Sequence, residues 1–186
     1  MARIRALEKP DPEARFEALY ARHYGQVLGY VLRRAPAAVA ADVAADVFLV
    51  AWRRLAQVPE EPLPWLLGVA RKTLANEKRG GRRRAELVDS LKETSTDERD
   101  LAPPVNDQLP ALAEAVNRLS EIDRELLRLI AWDGLTTREA ATALGISHAA
   151  CRVRLHRLRR RLARELYEPR TTFSSSVDRL DAREET

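Results

Sequence analysis

Between Glu13 and Arg34 the apolar residues Phe16, Leu19, Tyr20, Tyr24, Val27, Leu28 and Val31 recur at steps of three and four, which puts them on one face of an amphipathic helix. The pattern stops near Pro36. A second helix is predicted from Ala40 to Leu55, with Val43, Val47, Val50, Ala51 and Trp52 apolar. The stretch VPEEPLP ends it, because proline has no amide to donate inside a helix. Pro64 suits the first turn of a third helix, PWLLGVARKTLANEKR, which offers Trp65, Leu66, Val69, Ala70, Thr73 and Leu74 to a core and runs into the basic RGGRRR. These three helices form one predicted module.

The character of the chain changes from Ala85 to Asp107, where seven acidic residues face two basic ones around Pro103-Pro104. Such a segment cannot bury enough apolar surface to fold alone, and an extended acidic linker is expected there. Beyond it Leu109–Leu119 and Ser120–Trp132 read as two further helices. The tail from Glu168, with TTFSSS, keeps no period and is expected to be disordered. No strand alternation and no solenoid-length repeat is present. The expected fold is therefore all-α: two small helical domains joined by an extended acidic linker, with boundaries at 12–84, 85–107, 108–167 and a tail at 168–186.

The second module carries the sharper local signals. Thr136-Thr137-Arg138-Glu139 has the spacing of a capping box, in which Thr136 accepts from an amide one turn on and Glu139 reaches back. Gly145 suits the positive φ that follows many helices, and Ser147 can cap the next helix. Helix, glycine turn and helix make a helix-turn-helix, whose second helix enters the DNA major groove. Cys151, Leu155, Leu158 and Leu162 step by four, three and four and must face a core. The opposite face holds Ala149, Val153, His156, Arg157 and Arg160, with Arg152 and Arg159 on its flank. Small residues at the helix start allow approach to base edges, and Ser147, His148 and Ala149 there are candidates for DNA contact. Val153 can touch a thymine methyl and Arg152 can pair with guanine, whereas Arg157 and Arg160 suit phosphates.

Charge and composition narrow the function classes. The net charge is only +4, but 32 basic and 28 acidic residues are segregated along the chain, which implies local basic surfaces for a polyanion. There is no apolar h-region at the start and no run of eighteen apolar residues, so a cytoplasmic protein without membrane insertion is expected. One cysteine, Cys151, cannot form an internal disulfide. His23, His148 and His156 are scattered, no CxxC or glycine-rich phosphate loop occurs, and Asp42 and Asp46 lack the Glu-x-x-His partners of a di-iron bundle. No catalytic residue, cofactor or metal site is expected, and the chain does not read as an enzyme.

The motifs FEALYARHYGQVLGYVLRR, AADVAADVFLVAWRRL, PWLLGVARKTLANEKRGGRRR and LSEIDRELLRLIAWDGLTTREAATALGISHAACRVRLHRLRRRL, in this order and spacing, resemble RNA polymerase sigma factors of the sigma-70 family, extracytoplasmic-function (ECF) type. These are the bacterial polymerase subunits that choose promoters, and the resemblance runs from about Glu13 to Leu166. It implies that the first module, region two, holds polymerase and opens the −10 element, and that the helix-turn-helix, region four, reads the −35 element. The helix with Asp42, Asp46 and Phe48 would dock on the polymerase clamp coiled-coil, with Phe48 either a contact or a core residue, while Trp52 is expected in the core. Family members often carry glutamine and glutamate where this chain has Ala45 and Asp46. The segment around Trp65, Arg71, Lys72, Asn76, Lys78, Arg79 and Arg82 would lie on the opened −10 strand. Asn76 would face an unstacked base edge and the basic residues the phosphates; Trp65 would either stack on a base or pack in the core. Lys72 and Asn76 stand where asparagine and aspartate are common in the family. The linker would thread toward the RNA exit path as an acidic stand-in for nucleic acid, or act as a plain tether. Implied partners are core RNA polymerase, through the clamp coiled-coil and the flap, promoter DNA, and an anti-sigma factor where one exists. The rival reading is a stand-alone helix-turn-helix regulator with an N-terminal sensing or dimerisation domain; it leaves the basic ARKTLANEKRGGRRR stretch unexplained.

Overall fold

The computed structural model describes residues 11–88 and 114–167, with side chains described over 11–81 and 114–164. All regular structure among them is helical. Asp11 opens α1 (Pro12–Leu32): its carboxylate accepts from the Glu13 amide at 3.2 Å, and Pro12 fills a position where no amide is needed. α2 spans Ala37–Arg53 and α3 spans Pro62–Val88. A helical turn at residues 114–117 precedes α4 (Glu121–Ala131), α5 (Thr137–Leu144) and α6 (His148–Tyr167).

α1, α2 and α3 pack on one another through the faces that the three-and-four spacing marks. Val27, Tyr30 and Val31 of α1, Ala44, Val47 and Ala51 of α2, and Leu66 and Ala70 of α3 are fully buried. The alanines let the helix backbones approach closely, and the leucines fill the space between them. His23 is a satisfied core histidine, its Nδ1 2.8 Å from Gln26 Oε1. Arg15 donates to the Val58 carbonyl at 3.0 Å and ties the start of α1 to the loop before α3.

Several expectations shift. α3 runs through Gly80 and Gly81 to Val88, past the point where the linker was expected to begin, because Ala85, Glu86 and Leu87 are good helix formers. α2 starts at Ala37, three residues earlier than the pattern predicts, directly after Pro36. Of the helix expected over Leu109–Leu119, residues 114–117 are helical and 109–113 lie outside the described residues, as do most of the linker and the tail from Glu168.

The two modules touch. α3 packs against α5, and the buried residues of both modules belong to one continuous apolar cluster. Gly68 makes the approach possible: a Cβ there would lie 3.1 Å from the Ala143 carbonyl oxygen and 3.4 Å from its Cα.

Candidate nucleic-acid and polymerase interface

The helix-turn-helix is built by local chemistry. The Thr136 hydroxyl accepts from the Glu139 amide at 3.3 Å, and Glu139 Oε2 accepts from the Thr136 amide at 2.7 Å, completing the capping box. The Thr136 hydroxyl also donates to Glu139 Oε2 at 2.7 Å, and this bond, with the one from the Thr136 amide, holds the Glu139 carboxyl below its ordinary range. Gly145 takes φ +68° and closes α5. Ser147 Oγ then accepts from the Ala150 amide at 3.1 Å and starts α6. His148 Nε2 lies 3.2 Å from Thr137 Oγ1, linking the starts of the two helices.

α6 sorts its residues cleanly. Cys151, Leu155 and Leu158 are buried, Leu162 is half-buried, and burial pushes the Cys151 thiol up. Ser147, His148, Ala149, Arg152, Val153, His156, Arg157 and Arg160 are all exposed. Val153, a β-branched apolar residue at 49% exposure, stands among arginines with no core to cover it. Arg154 instead turns inward, pairing with Asp123 at 2.9 Å.

On α3, Trp65, Lys72, Asn76 and Arg79 are seven, four and three residues apart and share one stripe. Lys72, Asn76, Lys78 and Arg79 are exposed. Arg79 Nη2 donates to Asn76 Oδ1 at 2.5 Å, which leaves the Asn76 amide nitrogen to donate outward. Trp65 is half-buried beside Val69, Lys72, Thr142 and Gly145 in a cleft between the modules. Arg71, assigned to phosphate, is instead drawn into that joint, where its Nη2 donates to the Leu144 carbonyl at 3.3 Å. The side chain of Arg82 lies outside the described residues.

On α2, Asp42 and Asp46 are exposed. Phe48 is buried and Trp52 is exposed. Phe48 is 2% exposed and packs edge-on against Tyr20 at 4.8 Å, beneath the surface of the helix pair. Trp52, expected in the core, is 43% exposed and rests edge-on against Phe16 at 5.1 Å. α1 covers Phe48 with three aromatic rings but reaches Trp52 with one.

Sequence reasoning missed a polar cluster that joins the modules. Arg34 Nε donates to both Glu125 oxygens at 3.0 Å, and its Nη2 donates to Asp133 Oδ2 at 2.6 Å. Tyr30 donates to Glu125 Oε1 at 2.6 Å, and the Arg34 guanidinium lies 3.6 Å from the Tyr30 ring centroid. Arg33 pairs with the other Asp133 oxygen. The Arg34, Glu125 and Asp133 side chains are 5%, 10% and 3% exposed, so this is a buried ion cluster. Burial, and then the Glu125 charge, push the Tyr30 phenol upward, which keeps it a donor. The one signal for it in the sequence is a carboxylate, Glu125, next to the apolar face of Ile122, Leu126 and Leu129.

Among the described residues no group of three or more His, Cys, Asp or Glu is placed to hold a metal ion, and no helix is long and apolar enough to cross a membrane.

A helical protein with a capped helix-turn-helix and an exposed arginine face on its second helix belongs to the helix-turn-helix DNA-binding class. It is 32% identical over 174 residues to the ECF RNA polymerase sigma factor SigL of Mycobacterium tuberculosis, an alignment covering 90% of this chain and 97% of that protein. The chain belongs to the ECF family of RNA polymerase sigma factors. The sigma-70 region 4 family matches residues 109–162, the part that holds α4, α5 and most of α6. SigK of a Mycobacterium species is 27% identical over 166 residues, 82% of each chain. The fold is similar to that of sigma factor RpoE, solved with anti-sigma factor NepR from Bartonella quintana, at a TM-score of 0.56 and 22% identity over 83% of this chain and 98% of that one. It is also similar to CnrH, solved with the cytosolic domain of CnrY, at a TM-score of 0.50 and 26% identity over 83% and 88%.

Proposed function

We propose that this protein binds core RNA polymerase and directs it to promoters, with α6 reading the −35 element and the Trp65–Arg79 stripe of α3 contacting the opened −10 strand. The observation that carries this is the pairing of two separate exposed faces rich in basic residues on one chain. α6 exposes Arg152, Val153, His156, Arg157 and Arg160 along one side, and α3 independently exposes Lys72, Asn76, Lys78 and Arg79. A stand-alone regulator needs only the first. Asn76, with its oxygen occupied by Arg79, offers a donor to an unpaired base. Asp42 and Asp46, with exposed Trp52 further along the same helix, are the surface for the polymerase clamp coiled-coil. The protein recognises and the polymerase supplies the chemistry, which places its work in the cytoplasm with the chromosome. An anti-sigma factor, the kind of partner solved with RpoE, is a further candidate partner.

Run-off transcription with purified core polymerase tests this. Specific transcripts, with thymines near −10 becoming reactive to permanganate only when both proteins are present, are expected. Tight, specific binding of the pure protein to a palindromic duplex, unchanged by polymerase and without strand opening, would return the assignment to an ordinary regulator.

A further inference from the structure

α6 carries seven arginines between Arg152 and Arg164, and all but one of them are exposed. The exception is Arg154. Its Nη1 donates to Asp123 Oδ1 of α4 at 2.9 Å, and its side chain is 40% exposed against 27% for the aspartate. Arg154, Arg157 and Arg161 stand three and seven residues apart and share one flank of the helix. Of the three, Arg154 is nearest the helix start, the end that enters the groove. A helix built only to collect phosphates would leave this arginine pointing outward with the others.

Asp123 is itself fixed. It sits in the first turn of α4, where a carboxylate suits the positive end of the helix dipole. Its Oδ2 accepts from the Ser120 hydroxyl at 2.6 Å, and the Ser120 oxygen accepts in turn from the Asp123 amide at 3.3 Å. One carboxylate oxygen thus belongs to the cap of α4 and the other to α6. The carboxylate cannot follow Arg154 without giving up the cap, whereas Arg154 has a long, rotatable stem on a part-exposed surface. Asp123 therefore decides where Arg154 points.

We propose that Asp123 is a positioning residue that withholds Arg154 from the DNA phosphates, and so sets the number of sequence-blind charge contacts that α6 makes. This rests on the reading of α6 as a DNA-binding helix. Phosphate contacts raise affinity for every sequence alike and make binding salt-dependent. One such contact fewer leaves a larger share of the hold to base-reading residues and weakens attachment to DNA that carries no promoter. The other role open to the pair is mechanical, to brace α6 against α4. The two roles differ in sign: losing a brace weakens DNA binding, whereas releasing a withheld arginine tightens it. The gain is bounded, because a phosphate that drew Arg154 more strongly than Asp123 does would already have taken it from a part-exposed pair. The strength of such a pair corresponds to about 2- to 5-fold in binding.

The test uses the full chain with core polymerase, bound to promoter DNA and to a duplex without a −35 element at several salt concentrations. Asp123→Asn keeps the cap, since the amide oxygen still accepts from Ser120, and removes the charge that holds Arg154. Circular dichroism and the urea midpoint check that the fold persists. The expected result is binding about 2- to 5-fold tighter on both DNAs, with a salt slope steeper by about one unit. Removing the Asp123 charge also removes a repulsion from DNA, so the same change is made together with Arg154→Gln, where the gain should disappear. Arg154→Gln alone should bind with nearly the affinity and salt slope of the parent protein. Weaker binding by Asp123→Asn, a gain that persists without Arg154, or a loss of about one unit of salt slope in Arg154→Gln would overturn the proposal. Arg157→Ala and Arg160→Ala control the underlying reading. Full affinity and full salt slope in both would take α6 off the DNA altogether, whereas losses in both beside an unchanged Asp123→Asn would sink the withheld arginine alone.

Discussion

Arg71 donates from Nη2 to the Leu144 carbonyl at 3.3 Å across the joint between the modules, while its Nε is buried without a hydrogen-bond partner. An unsatisfied buried donor costs about 1 to 3 kcal/mol, and a long hydrogen bond returns only about 0.5 to 1.5 kcal/mol. Arg71→Met keeps the apolar stem and removes both. The expected outcome is stability unchanged or raised by up to about 1 kcal/mol, read as the midpoint of urea denaturation. A clear loss would mean that the Leu144 contact outweighs the stranded Nε.

Phe48 and Trp52 separate packing from contact on one helix. Phe48→Ala empties a space enclosed by Phe16, Tyr20 and Tyr24 and is expected to cost about 3 to 5 kcal/mol of stability. Trp52→Ala removes a ring that is 43% exposed, and a stability loss near 1 kcal/mol is expected, with a much larger drop in core polymerase affinity. Thermal unfolding and a polymerase-binding titration on the same two variants check both halves. Wild-type polymerase affinity in Trp52→Ala would take Trp52 out of the docking surface.

The helix-turn-helix was legible because its determinants are local. Thr136 and Glu139 satisfy each other within one turn, Gly145 supplies its own backbone freedom, and the step from Cys151 to Leu155 and Leu158 needs only helical periodicity. The same logic could not rank Phe48 against Trp52. They stand four residues apart on one face, and only the path of α1 decides which of them is covered. Arg34 and Glu125 are 91 residues apart, and nothing in either neighbourhood announces the other. By local rules a glycine such as Gly68 only weakens a helix, and its purpose appears only with Ala143 against it. Local rules thus exposed the helix-turn-helix, while the joint between the modules depends on tertiary pairing.

The capping box links stability to acidity. Because the Thr136 hydroxyl and amide hold the Glu139 carboxyl below the ordinary 4.5, its stabilising effect is present above that value and is lost as pH falls through the lower folded-state value. Glu139→Gln is therefore expected to destabilise at pH 7 and to match the parent protein increasingly as the pH drops through the carboxylate range. Thr136→Ala, which removes the other half of the box, is expected to cost about 0.5 to 2 kcal/mol. Denaturant midpoints from pH 7 downward test this; a Glu139→Gln difference that stays constant with pH would show that the carboxylate charge is not involved.

Arg152 and Arg160 test how α6 is read by DNA. Both are exposed on one helix, but Arg152 lies in its second turn, where side chains reach base edges, and Arg160 lies two turns further along, where the helix leaves the groove. A guanidinium paired with guanine discriminates by about 1 to 3 kcal/mol, whereas one on a phosphate contributes alike to every sequence and adds about one unit to the salt dependence. Arg152→Ala should accordingly flatten the preference at a single −35 position, and Arg160→Ala should weaken all promoters equally and reduce the salt slope by about one. The comparison is made on the polymerase complex with a set of single-base −35 variants at several salt concentrations. Val153 provides an internal control: with 49% exposure and no charge, Val153→Ala should affect only a position with a thymine methyl and leave the salt slope unchanged. Equal, sequence-blind losses from Arg152→Ala and Arg160→Ala would assign both arginines to the phosphates and leave base reading to the residues before them, Ser147 to Ala149.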